Sequence, residues 1–178
     1  MRFIGIMNAA VWLGTAIFLM FGADPACYSP NMKAALGVGV GDSYYPAAIA
    51  QVITTRYYHI SLACGVVALL HLLAEWLYLG RPGRKFSFIL LLGLFGWTLI
   101  GSNAVQPARA SALKQLSPQH YSAAQPADRQ AAAKSLRFLR TVERIFNFLV
   151  VCGLVVYLWR VANPSDNLRF VRPVQFRG

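Results

Sequence analysis

The sequence predicts an all-α fold, an integral membrane four-helix bundle whose last helix carries an outer helical extension. Three observations lead there. Long runs lack Asp, Glu, Lys and Arg: Phe3 to Phe21, Phe86 to Val105, Ile145 to Trp159, and Tyr57 to Gly80 with Glu75 as its only such residue. The chain is 57% hydrophobic with a mean hydropathy of +0.47, too oily for an ordinary water-soluble domain. Clusters of basic residues stand at the ends of the runs rather than along them.

Crossing a hydrocarbon layer of about 30 Å takes about 20 apolar residues, and each run reaches or approaches that length. The expected spans are about 3–22, 57–79, 86–105 and 143–161 in a single membrane domain covering 1–178. Outer loops are expected at 23–56 and 106–142, an inner loop at 80–85 and an inner tail at 162–178.

The first run follows Arg2 and reads as a retained helix rather than a secretory signal, because its apolar part exceeds the usual signal length and "ADPAC" before Tyr28 spoils a lipoprotein-type cleavage site. Between the first two spans, Pro, Gly and Asp mark a loop. Its "GVGVGD" lacks both a preceding strand and the G-x-G-x-x-G spacing of a nucleotide loop. Pro46 suits a first helical turn capped near Asp42 or Ser43. A helix from about Pro46 to Tyr78 then follows, either unbroken or interrupted near Thr54 and Thr55. After the third span, Pro107 opens a polar loop. Pro126 starts "ADRQAAAKSLRFLRTVERIFNFL", a helical stretch continuous with the last span. On it Lys134, Arg137, Thr141 and Arg144 share a face at spacings of three and four, which reads as a solvated or headgroup-facing surface, or else an anion- or partner-docking face.

The net charge of +11 does not point to nucleic acid, because of where the cations lie. Arg81, Arg84 and Lys85 in one short turn, and Arg160, Arg169 and Arg172 after the last span, mark a cytoplasmic side and anchor the inner leaflet. Both termini are then cytoplasmic in a cell (inner) membrane. Tyr44, Tyr45, Tyr57 and Tyr58 at one level, and Trp76, Tyr78, Tyr157 and Trp159 at the other, form interfacial belts. The expected partners are the bilayer, other membrane subunits or a second copy of this chain.

Ionisable groups inside a span are costly and usually face a bundle interior with a partner. His71 and Glu75 lie one helical turn apart, so their side chains share a face. The candidate intramembrane polar site comprises His71, Glu75, Asn8, Thr98, Asn103 and Asn147, expected in two layers because Asn103 and Asn147 fall near the outer ends. No cofactor is predicted. His59 and His71 are weak haem candidates, since they stand about 18 Å apart on faces about 120° different. Haem b or a pigment therefore fits only at a subunit interface. His71 with Glu75 supplies fewer ligands than zinc prefers, and the cysteines at 27, 64 and 152 form no C-x-x-C pair, so no metal site is predicted. Small residues suggest packing seams at Ser61 and Gly65, at Gly93, Trp97 and Gly101, and at Gly5, Ala9 and Gly14.

Several phrases, "NAAVWLG" (8–14), "RYYHI" (56–60), "HLLAEWLYLG" (71–80), "SNAVQP" (102–107), "AAAKSLRFL" (131–139) and "NFLVVCGLVVYLWRV" (147–161), resemble small bacterial membrane proteins of the transmembrane protein 205-like group. The resemblance spans most of the chain in order. It implies a four-helix architecture with no assigned catalytic activity. Where that group often carries a histidine before its last helix, this chain reads Leu139, Arg140, Thr141.

Three functions follow from these features. The first is a structural or accessory subunit of a membrane assembly. The second is a small proton-coupled carrier or channel-like oligomer using His71 and Glu75. The third is a haem- or quinone-associated redox subunit. An enzyme is disfavoured: G-x-S-x-G, H-E-x-x-H and a phosphate loop are all missing and the six acids are scattered.

Overall fold

A computed structural model describes residues 2–37, 44–79, 85–117 and 126–162. It is all-α. The helices are α1 (Arg2–Ile17), α2 (Asp24–Cys27), α3 (Pro30–Ala35), α4 (Tyr44–Leu79), α5 (Lys85–Ile100), α6 (Gln106–Leu116) and α7 (Pro126–Ala162). Two π-helical turns, Phe18–Ala23 and Gly101–Val105, join α1 to α2 and α5 to α6 without a break. Four of the resulting helices are long and apolar enough to cross a membrane: Phe3–Cys27, Tyr44–Leu77, Phe86–Leu116 and Gln130–Ala162. The chain thus has the make-up of a multi-pass membrane protein.

Each long helix buries one stripe. On α4 the stripe runs Ala47, Ala50, Thr54, Tyr57, Ser61, Cys64, Ala68, Leu72, Glu75. These steps of three and four place every member on one side of a 3.6-residue helix. The bundle closes as a ring in which α1 packs on α4, α4 on α5, α5 on α7 and α7 on α1. Neighbours run antiparallel: Gly5 meets His71 and Asn8 meets Cys64, Gly65 meets Phe95 and Gly101 meets Tyr58, and Leu94 meets Gly153 while Trp97 meets Phe146. Trp12, Leu91, Leu154 and Tyr157 fill the centre. The outward faces carry Phe3, Phe18, Ile89 and Trp159, each at least two-thirds exposed, as suits helices that face lipid.

Helices approach closely where a glycine meets a ring or a branched chain. A Cβ on Gly5 would lie 2.8 Å from His71 Nε2, and one on Gly153 2.9 Å from Leu94 Cδ2. Gly101 faces the Tyr58 ring more tightly still, and Gly65 sits under Phe95 and Trp12. Gly14 and Gly93 have open space beside them, so the expected seams hold only in part.

The main departure from expectation is that Asp24–Cys27, Pro30–Ala35 and Gln106–Leu116, expected as loop, are helical. Pro25 and Pro107 do not end their helices. Each sits two residues past a π turn, where Asp24 N–H bonds to Leu19 O and Gln106 N–H to Gly101 O. In an α-helix a proline ring clashes with the carbonyl four residues back. The wider π turn relieves that clash, and the helix resumes. The extra residue also resets the buried register. Along α5 it runs Ser87, Leu91, Leu94, Thr98, Gly101, then skips five to Gln106 and resumes at Arg109 and Ala112. Likewise α4 is unbroken through Thr54 and Thr55, whose hydroxyls donate back to Ala50 O and Gln51 O within the helix. Its 36 residues measure about 54 Å, more than a bilayer core needs. The first turns of α4 and α7, with α6, α2 and α3, therefore form a cap at the end of the bundle remote from residue 2. That end is the crown below, and the end where α1 begins and α7 finishes is the base. Of the expected anchoring cations, Arg81, Arg84, Arg169 and Arg172 lie outside the described residues, and Lys85 is known only as the first residue of α5. Arg160 places its guanidinium 4.2 Å from the centre of the Phe86 ring.

Candidate functional site

Polar groups are buried at two levels. Toward the base, His71 Nε2 and Glu75 Oε1 are 3.6 Å apart on successive turns of α4, each side chain 9% exposed. The separation is too long for a hydrogen bond, and His71 Nε2 is buried without one. The imidazole sits against α1 at Gly5, with Nε2 and Cδ2 its nearest atoms. A ligand on Nε2 from that side would require α1 to move.

The other members of the expected site do not join this pair. Asn8 donates from Nδ2 to Cys64 O at 2.8 Å, tying α1 to α4 two turns nearer the crown. Thr98 donates to Leu94 O within α5, and Asn103, which is exposed, donates to Leu99 O. Asn147 is buried but belongs to the crown. Of the two histidines considered for haem, His59 is exposed and His71 is packed inside.

The crown holds a larger cluster. Arg109 of α6 is 2% exposed and donates from Nη1 to Glu143 Oε2 of α7 at 2.7 Å. Glu143 Oε1 accepts from Gln106 Nε2 at 3.0 Å, and the Tyr58 phenol of α4 also donates to this carboxylate. Gln106 Oε1 accepts from Gln51 Nε2 at 2.6 Å and from Thr55 at 3.3 Å. Weaker contacts run from Arg109 to Thr54 Oγ1 at 3.5 Å and to Tyr28 Oη at 3.4 Å. The pair therefore draws α4, α6, α7 and the end of the first span together. Such satisfaction is what burial of an ion pair requires, since the desolvation of each charge amounts to several kcal/mol.

A second ionic group covers the first. Asp24 accepts from Arg140 Nε and Nη2, both at 3.2 Å, and from Arg144 Nη2 at 2.7 Å. Arg140 also lies 3.3 Å from the centre of the Tyr28 ring, a cation–π contact. Burial pushes the Tyr28 phenol above its ordinary pKa, against the opposing pull of Arg109 and Arg140, so it remains a neutral donor and acceptor. Between the two ionic groups lies a cavity of about 20 Å³ bounded by Asp24, Thr54, Glu143, Arg144 and Asn147. It offers room for about one water molecule. A wider groove of about 540 Å³ opens on the flank of the crown, between α4 at Tyr44, Ala48 and Gln51 and α6 at Ala110 and Leu113.

Sequence reasoning put Arg109 in the outer loop 106–142 and Glu143 at the start of the last span, and named neither as a site residue. A signal for Glu143 exists. It occupies the apolar stripe Leu136, Leu139, Glu143, Asn147, Val150, Leu154 at spacings of three and four. Arg109 has no such signal, because its inward aim depends on the π turn. Among the described residues no group of three or more His, Cys, Asp or Glu is arranged to hold a metal ion. No family model, curated protein or solved structure matches the chain.

Proposed function

We propose that the protein is a structural or accessory component of a membrane assembly, embedded in the inner membrane with both termini in the cytoplasm. The observation behind this reading is how the polar interior is used. Arg109, Glu143, Gln106, Tyr58 and Gln51 bond chiefly to one another and hold three helices, α4, α6 and α7, in register. Where the helices cross, rings and branched side chains already occupy the space beside Gly5, Gly65, Gly101 and Gly153. Such a frame presents fixed outer faces to neighbours. The basic residues Arg81, Arg84 and Lys85, close together in the sequence between two spans, support the orientation. Extraction in a mild detergent, followed by size-exclusion chromatography and mass measurement, tests the proposal. It expects a stoichiometric membrane partner or a discrete homo-oligomer. A lone monomer that conducts protons in proteoliposomes would overturn it.

One observation favours a second reading, a proton-handling role for the base pair. His71 Nε2 stands 3.6 Å from Glu75 with its hydrogen-bonding capacity unused. Proton flux in proteoliposomes that is lost in Glu75→Gln would support it, and flux indifferent to that change would remove it.

A further inference from the structure

The outward face of α7 changes character at one level. Lys134, Arg137, Thr141 and Arg144 are exposed on it, and Ile145, Phe148 and Leu149 continue the same side directly below, all about half exposed. The opposite side of the helix carries the buried stripe from Ala132 to Val161. At about 1.5 Å per residue, Arg137 and Arg144 stand about 10 Å apart along the axis, with Thr141 between them.

The cations on this face are unequally used. Arg140, at the edge of the face, gives two nitrogens to Asp24 and stacks on Tyr28. Arg144 gives Asp24 a single bond and keeps its side chain 52% exposed, with most of its N–H donors directed elsewhere. Lys134 and Arg137 have no carboxylate partner among the described residues. Two arginines share one aspartate, and two further cations lie above them.

We infer that this face of α7 binds the phosphate of an anionic glycerophospholipid, with Arg144 at the phosphate level, Arg137 and Lys134 above it, and the acyl chains along Ile145, Phe148 and Leu149. Charge alone would admit any acidic partner. The adjoining apolar surface selects a lipid, because the ligand must change from phosphate to hydrocarbon within one helical turn. A guanidinium offers paired donors that match phosphate oxygens. Cations within about 10 Å of an anionic surface add attraction that salt weakens.

The test uses the full chain in detergent with equimolar palmitoyl-oleoyl phosphatidylglycerol and phosphatidylcholine, and native mass spectrometry to count retained lipids. Phosphatidylglycerol should be retained at least about fivefold over phosphatidylcholine, and removing cations should bring that ratio toward one. Arg144→Gln and the pair Lys134→Gln/Arg137→Gln should both reduce it. The second variant touches only exposed side chains, so its reading does not depend on the Asp24 contact. Asp24→Asn, which frees both arginines, should raise the ratio. Equal retention of the two lipids, or a ratio unchanged in Lys134→Gln/Arg137→Gln, would overturn the inference. So would displacement of phosphatidylglycerol by millimolar inorganic phosphate, which would make free phosphate the ligand.

Discussion

Glu143→Gln tests whether the crown holds the fold together. The substitution keeps size and shape but removes the charge that Arg109, 2% exposed, is paired with. The new amide must also present an NH₂ group either to Arg109 Nη1 or to Gln106 Nε2, both donors that now reach carboxylate oxygens at 2.7 and 3.0 Å. One donor is left facing a donor. Removing one member of a buried ion pair costs about 3–5 kcal/mol, because the other charge stays desolvated and unpaired. With side chains 3% and 7% exposed, little of that loss is screened by solvent. For a chain of 178 residues the loss corresponds to a melting-temperature decrease of about 6–20 °C. Replacing both partners, Arg109→Met with Glu143→Leu, should recover most of it, since apolar replacements of a whole pair are often near neutral. Unfolding of the parent, Arg109→Met, Glu143→Leu and the double variant in one detergent, read by circular dichroism, forms a double-mutant cycle with an expected coupling of at least about 2 kcal/mol. A Glu143→Gln protein within about 1 kcal/mol of the parent, or additive single effects, would show that the pair does not hold the crown.

Three further outcomes follow. Gly101→Ala forces a methyl group into the Tyr58 ring and should cost about 1–3 kcal/mol, whereas Gly93→Ala, with open space beside it, should be neutral or stabilise by up to about 1 kcal/mol; equal thermal shifts would contradict the packing. Asp24→Asn should lower stability by only about 1 kcal/mol, because Arg144 is half exposed, and the difference should shrink in 1 M salt; melting in low and high salt checks it. Gly5→Ala pushes the His71 ring away and should destabilise by about 1–3 kcal/mol, with His71→Ala in the same chain restoring part of the loss. A double variant no more stable than Gly5→Ala alone would place the clash elsewhere.

The fold class was legible because its cause is local. An apolar run of about 20 residues can satisfy its backbone in a bilayer as a helix, and the runs beginning at Phe3, Tyr57, Phe86 and Ile145 each start within a spanning helix. The i,i+4 placement of His71 and Glu75 follows from helical geometry alone, and their proximity needed no knowledge of the other helices. The helical extension of α7 was legible from periodicity, and so in principle was the oddity of a glutamate in its apolar stripe.

What the sequence did not determine depends on how helices meet. Pro25 and Pro107 read as terminators, because the π turns that accommodate them carry no composition signal and persist only in a surrounding bundle that favours the shifted register. That shift carries Gln106 and Arg109 inward to Glu143, 34 residues away from Arg109 along the chain. A charge set in sequence among Pro107, Ala108 and Ala110 cannot announce so distant a partner. The chain alone thus settled that there are four apolar helices and which turn of α4 bears the histidine–glutamate pair. Only the tertiary structure decided which arginine is buried and which stay exposed, because burial of a charge is set by the partners that packing brings within hydrogen-bond reach.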